Sequence, residues 1–228
     1  LLIPQSAEYF LAKLRPEFRF DRTLSIADHP ESREVWGYGA DQATSARLVD
    51  RTLAFLDEPR TKRRPFLLWL FNFDVHNWRE LENAHVEEAM RRFGIADDSS
   101  ELPYRYRAVA ASLDAEFGRL LLGLEHRKLL DNTVILFVSD HGEALGRDGF
   151  WVHSVFLWES LVRVPLLLKA PGLPAREVDE PVSLVDVAPT LARYMFPHSD
   201  LAGYAGEDLL TRLLEKPRPR RLPILLMS

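Results

Sequence analysis

No cysteine occurs anywhere in the 228 residues. Disulfides, thiolate metal ligands and a cysteine nucleophile are therefore excluded within them, and cysteine usage says nothing of the compartment. Basic residues are also short: 29 Lys and Arg stand against 34 Asp and Glu, a formal net charge of −5. That balance argues against a nucleic-acid partner, which needs a basic face. No apolar run reaches the ~20 residues of a membrane span; the longest lie at 66–73 and 133–138. A secretory signal pattern is missing from the start, as are internal repeats and long low-complexity tracts. What is present is ordinary for a globular protein, 46% hydrophobic and 28% charged, at a length that allows one domain or part of a larger one. The chain opens on Leu1 and closes on a strand-like run at 222–228. From these ends we expect an internal piece of a longer protein.

Two apolar runs organise the rest. The first, at 133–138, is rich in β-branched residues and stops at Ser139, Asp140, His141, Gly142 and Glu143. It reads as a buried strand of an α/β sheet, and ligands of such sheets gather beyond the carboxyl ends of the strands. A carboxylate and an imidazole both suit a divalent cation. Neighbouring residues of a strand point to opposite faces, so Asp140 and His141 reach one ion only if the strand breaks beneath them. Gly142 supplies the freedom for that break. The second run, 66–73, reads as a strand covered on both faces and ends in Asp74, Val75, His76, Asn77 and Trp78. Each strand thus delivers an Asp and a His to its end.

Helices fill the intervals. Residues 41–57 carry a stripe of Ala46, Leu48, Val49, Leu53 and Leu56, with Asp41 as cap and Pro59 beyond the end. A solvated basic loop follows at 60–64. A charged, exposed helix runs from Arg79 to about Phe93 and stops at Gly94. The clearest helix carries Val109, Leu113, Phe117, Leu120, Leu121 and Leu124 and leads through a short turn into the strand at 133, the alternation of a parallel sheet. Downstream come a Gly-bearing loop at 145–150, His153, a strand at 163–169 whose Pro165 marks an edge or a start, and a helix capped by Asp186 with Pro189 in its first turn. Before residue 40, Tyr9, Phe10, Leu11 and Leu14 suggest a turn or two of helix, Phe18 and Phe20 a short strand, and His29 a loop histidine. Asp97, Asp98, Ser99 and Ser100 lack calcium-loop spacing and read as a linker.

In this order the pieces resemble the later half of the catalytic domain of the sulfatase family, within the alkaline-phosphatase-like superfamily. The anchors are Asp74 and His76; Asn132 and Thr133; the stretch from Ser139 to Glu143; Leu145 and Gly146; Arg163, Val164 and Pro165; Ala170, Pro171 and Gly172; and 183–190. The resemblance implies an α/β, three-layer αβα fold with a mostly parallel central sheet, here incomplete. Residues 1–36 would be an irregular lead-in, 37–200 the C-terminal part of the catalytic domain, and 201–228 the start of a C-terminal subdomain. It further implies Asp140 and His141 as metal ligands, and His76 and His153 as groups that contact the sulfate or protonate the leaving oxygen. The cation would be calcium, with manganese and zinc as alternatives, and the substrate a sulfate or phosphate ester.

Where the family commonly has Asp-Pro-His-x-Pro-Tyr, this chain has Asp74, Val75, His76, Asn77 and Trp78, which alters the substrate mouth. No serine or threonine stands in the family's nucleophile setting; Ser100, with Pro103 and Arg105, has the wrong spacing. The nucleophile is therefore expected upstream, and the piece alone is expected to be inactive. Two other readings stay open: a phosphoethanolamine transferase or phosphonate or phosphate ester hydrolase of the same superfamily, and a non-catalytic sulfatase-like binding module. The resemblance also implies a periplasmic, extracellular or membrane-anchored full-length protein.

Overall fold

The computed structural model of the chain describes residues 2–3, 24–25, 42–97, 103–153 and 156–212. The helical turn at 9–14, the strand at 18–20, His29, the cap Asp41, the polar residues 98–100 and the tail from 213 lie outside the described residues. The chain divides into two compact units, Leu1–Asn132 and Thr133–Ser228.

In the first unit, strands β1 (Leu2–Ile3) and β2 (Leu24–Ser25) pair in parallel, with Leu2 opposite Leu24. Helix α1 (Ser45–Asp57) buries Leu48, Val49, Thr52 and Leu56, the spacing of one helical face; Ala46, expected on that face, is exposed. The cap of α1 comes from a distant residue. Oδ1 of Asp74 accepts the Thr44 N–H at 2.8 Å and its hydroxyl at 2.6 Å, while Oδ2 accepts the Ser45 N–H at 2.9 Å and the Ser45 hydroxyl. A carboxylate there satisfies amides that a helix leaves unpaired and faces the positive end of its dipole. Asp74, expected to belong with His76 at a strand end, is instead committed to α1.

Helix α2 (Asn83–Phe93) begins later than Arg79 and is not merely an exposed helix, since Val86 and Ala89 are buried. It stops where expected, at Gly94, whose φ of +63° suits a residue without a side chain. Helix α3 (Tyr104–His126) buries Ala108, Val109, Leu120 and Leu124. It lies against α1 at Gly123, where an added Cβ would stand 2.3 Å from the Leu53 side chain. Arg119 reaches Asp50 at 2.7 Å, and Nε of Arg127 reaches Asp57 at 3.1 Å, so charge pairs border the apolar contact. The run at 66–73 differs from expectation. Among the described residues it makes no ladder beyond an isolated bridge at Leu70, and Leu67 and Trp69 are 75% and 46% exposed. Exposure alternates with the two-residue period of extended chain, so one face lacks the cover the strand reading required.

In the second unit, β3 (Ile135–Val138) and β4 (Leu166–Lys169) pair antiparallel, Ile135 opposite Lys169 and Val138 opposite Leu166. Pro165 directly precedes β4, where its missing N–H costs the ladder nothing. Strand β3 is only half-buried, and Val138 is exposed. Between the strands runs the short helix α4 (Glu159–Val162), and beyond them α5 (Val187–Met195). Asp186 precedes α5 but does not cap it with its side chain. Its buried carboxylate accepts the Ser183 N–H at 2.8 Å and the Glu207 N–H at 2.9 Å. Thr190 donates its hydroxyl to the Asp186 carbonyl at 2.6 Å and accepts the Leu209 N–H at 2.9 Å. Gly206 permits this clasp, because a Cβ there would lie 2.1 Å from the Val185 carbonyl oxygen.

Candidate functional site

The site in the second unit begins where β3 stops. Beyond Val138 the backbone turns: the Ser139 hydroxyl donates to the His141 carbonyl at 2.7 Å, and the His141 N–H donates to Oδ1 of Asp140 at 3.0 Å. The turn removes the alternation that would send adjacent side chains to opposite faces. Oδ1 of Asp140 and Nε2 of His141 come to 3.8 Å of each other. Nδ1 of His141 lies 2.8 Å from the Gly142 carbonyl. A nitrogen facing a carbonyl must carry the hydrogen, which leaves Nε2 as the lone-pair nitrogen of the neutral ring. These two donors fit a divalent cation in chemistry and spacing: bonds of about 2.0–2.6 Å set two ligands of one ion about 3–4 Å apart.

Gly142 is required for a different reason from the one expected. Its φ is not positive. A Cβ there would instead sit 2.0 Å from the Ser160 carbonyl oxygen. The close approach lets Gly142 N–H bond to Leu161 at 2.8 Å and Glu143 N–H to Ser160 at 3.1 Å, fastening the strand end onto α4.

The following loop curls sharply. Leu145, Gly146, Asp148 and Gly149 all have positive φ, from +50° to +93°, and the Gly146 N–H closes the curl on the Phe150 carbonyl at 2.7 Å. Leu145 and Asp148 in this region cost about 1–2 kcal/mol each, the kind of strain that collects at functional loops. The loop returns the chain at His153, whose ring lies 4.0 Å from that of His141, tilted by 30°. Nδ1 of His153 is 3.3 Å from Oε2 of Glu143. Asp140, His141 and His153 thus converge in one unit, together with Glu143, which sequence reasoning quoted without giving it a role. Nothing in a local pattern marks a Glu as the partner of a His ten residues on. His76 belongs to the first unit, where it is half-buried with its ring 4.2 Å from Phe73.

Fold and site together define the class. A crystal structure from Bacteroides fragilis, of the protein yidJ assigned as a sulfatase, superposes with a TM-score of 0.58 at 21% identity, covering 75% of this chain and 41% of that one. The fold is therefore alkaline-phosphatase-like. The sequence profile of the Sulfatase family matches residues 8–196, and the chain belongs to that family. Among curated relatives, the choline-sulfatase of Rhizobium meliloti (strain 1021) is 40% identical over 104 residues, 46% of this chain and 19% of that protein. The steryl-sulfatase of Mus musculus is 37% identical over 184 residues, 75% of this chain and 26% of that protein. The chain thus spans about a fifth to a quarter of the length of these relatives. Among the described residues, no helix is long and apolar enough to cross a membrane.

Proposed function

We propose that the complete protein is a metal-dependent hydrolase of sulfate esters, and that this chain supplies the late pair of cation ligands and the histidines of its active site. The observation that carries the reading is the convergence of Asp140 and Nε2 of His141 at 3.8 Å, with the ring of His153 alongside at 4.0 Å. Asp140 and His141 would hold the cation, calcium first and manganese or zinc as alternatives. Once bound, it supplies Lewis-acid polarisation of the ester oxygens. His153 hands a proton to the oxygen of the departing alcohol, a task suited to an imidazole near neutral pH. His76 contributes a hydrogen bond to the spreading charge of the sulfate. The relatives' names support a sulfate ester as the shared substrate feature: choline-sulfatase and steryl-sulfatase differ in the alcohol and agree in the sulfate. The nucleophile belongs to the rest of the complete protein.

The test is Asp140→Ala in that protein, assayed on an aryl sulfate beside the matching aryl phosphate and phosphonate ester, with cation content measured on the same samples. Sulfate-ester turnover is expected to fall at least about 100-fold, with loss of bound cation. Wild-type turnover by Asp140→Ala, or full activity after chelation, refutes the metal site. Faster turnover of the phosphate or phosphonate ester assigns the site to that branch.

A further inference from the structure

Glu143 is a site carboxylate to which the proposed chemistry gives no task, and it is only 8% exposed. Its Oε1 accepts the Ala144 N–H at 3.2 Å, and its backbone N–H is fixed to Ser160 at 3.1 Å. The carboxylate therefore has little room to swing. His153 is placed differently: it arrives at the end of a loop built on left-handed residues. Within the second unit the ring meets the His141 ring at 4.0 Å and, through Nδ1, Oε2 of Glu143 at 3.3 Å. The tilted contact with the His141 ring does not tell the two ring nitrogens of His153 apart, whereas the Glu143 contact falls on Nδ1.

We propose that Glu143 is the positioning residue of His153: it selects the Nδ1–H tautomer and orients the ring so that Nε2 is the nitrogen presented to the sulfate ester. This rests on the reading of His153 given above. An ionised carboxylate has no hydrogen to give, so the nitrogen facing it carries one, whether the ring is neutral or charged. A neutral ring so held has its lone pair on Nε2; a charged one has its transferable hydrogen there. The 3.3 Å separation is longer than a tight charge-assisted bond of about 2.8 Å, as hydrogen bonds of substrate-free active sites often are. The histidines that serve metal and acid–base sites commonly have such a carboxylate behind them.

The experiment uses the complete protein with ¹⁵N-labelled histidine, with and without cation, and identifies the His153 resonances by their loss in His153→Phe. Ring nitrogen shifts report which nitrogen carries the hydrogen. The wild type is expected to hold His153 as Nδ1–H. Glu143→Gln has one acceptor oxygen for the two groups that the carboxylate serves, the Ala144 N–H and Nδ1 of His153, and is expected to weaken the Nδ1–H preference with a smaller fall in kcat than Glu143→Ala. Glu143→Ala is expected to lose the preference, with kcat down about 10- to 100-fold, KM within about twofold and cation content unchanged. Should that variant fail to fold, Glu143→Leu fills the buried space without an acceptor and carries the same expectations. An unchanged Nδ1–H tautomer in Glu143→Ala or Glu143→Leu overturns the inference, as does a loss of activity explained wholly by lost cation. A changed tautomer with unchanged turnover upholds the positioning role and refutes His153 as proton donor, so the two ideas fail separately.

Discussion

Replacing Asp74 by alanine tests whether the long-range cap of α1 sets the stability of the first unit. Four hydrogen bonds converge on this carboxylate, from the N–H and hydroxyl groups of Thr44 and Ser45, and the residue is 4% exposed. Loss of an ordinary cap costs about 0.5–2 kcal/mol. Here two amides lose their acceptor together, and a stranded buried donor costs about 1–3 kcal/mol. The hydroxyls rotate to other partners and water enters the space left by the side chain, so the net loss is about 3 kcal/mol rather than the full sum. For a chain of this size each kcal/mol lowers Tm by about 2–4 °C, which gives a fall of about 6–12 °C. Asp74→Asn keeps the shape but turns an amide NH₂ toward one of the two donor pairs; its cost should be about two-thirds of that. Thermal unfolding measures the total, and hydrogen exchange at the amides of Thr44 and Ser45 locates it. A drop below about 2 °C, or amides as protected as in the wild type, refutes the account.

Gly142→Ala should cost at least about 3 kcal/mol, because the new methyl meets backbone rather than a side chain that can swing away; the obstacle is the Ser160 carbonyl oxygen at 2.0 Å. A Tm within about 2 °C of wild type would show that the strand end shifts freely. The Arg127 guanidinium bonded to Asp57 holds that carboxyl below its ordinary value. A depressed acid stabilises above its unfolded pKa, and that contribution disappears as pH falls through the folded value. Wild-type stability should therefore decline more than that of Asp57→Asn as pH drops below about 4. Parallel acid-denaturation profiles for the two proteins would refute it.

What the sequence made legible was local, and what it hid was long-range. The stops of α1 before Pro59 and of α2 at Gly94, the start of β4 after Pro165 and the break of β3 at Asp140 each depend on the backbone chemistry of one or two residues. Asp74 and Asp186 were misassigned for one physical reason. An Asp beside a strand end or a helix start has an obvious neighbouring task, yet Asp74 serves groups 29 and 30 residues away, and Asp186 serves Glu207, 21 residues away, as well as the nearby Ser183. The run at 66–73 shows a further limit: apolar composition reports a need for cover and does not name the element that provides it. At the site, residue types suggested Asp140, His141 and His153, while the partnership of His153 with Glu143 depends on a loop path set by four positive-φ residues.

The clasp between Asp186, Thr190, Glu207 and Leu209 also bears on how this region withstands proteolysis. The stretch from Phe196 to Tyr204 is largely open to solvent, and Tyr204 is exposed and followed by Ala205, so a chymotrypsin-type enzyme has a ready bond to hydrolyse there. Asp186 and Thr190, however, grip the far side of that stretch through buried bonds. A cut chain would run as two bands on a denaturing gel and as one species on a native sizing column, parting only when the interior is unfolded.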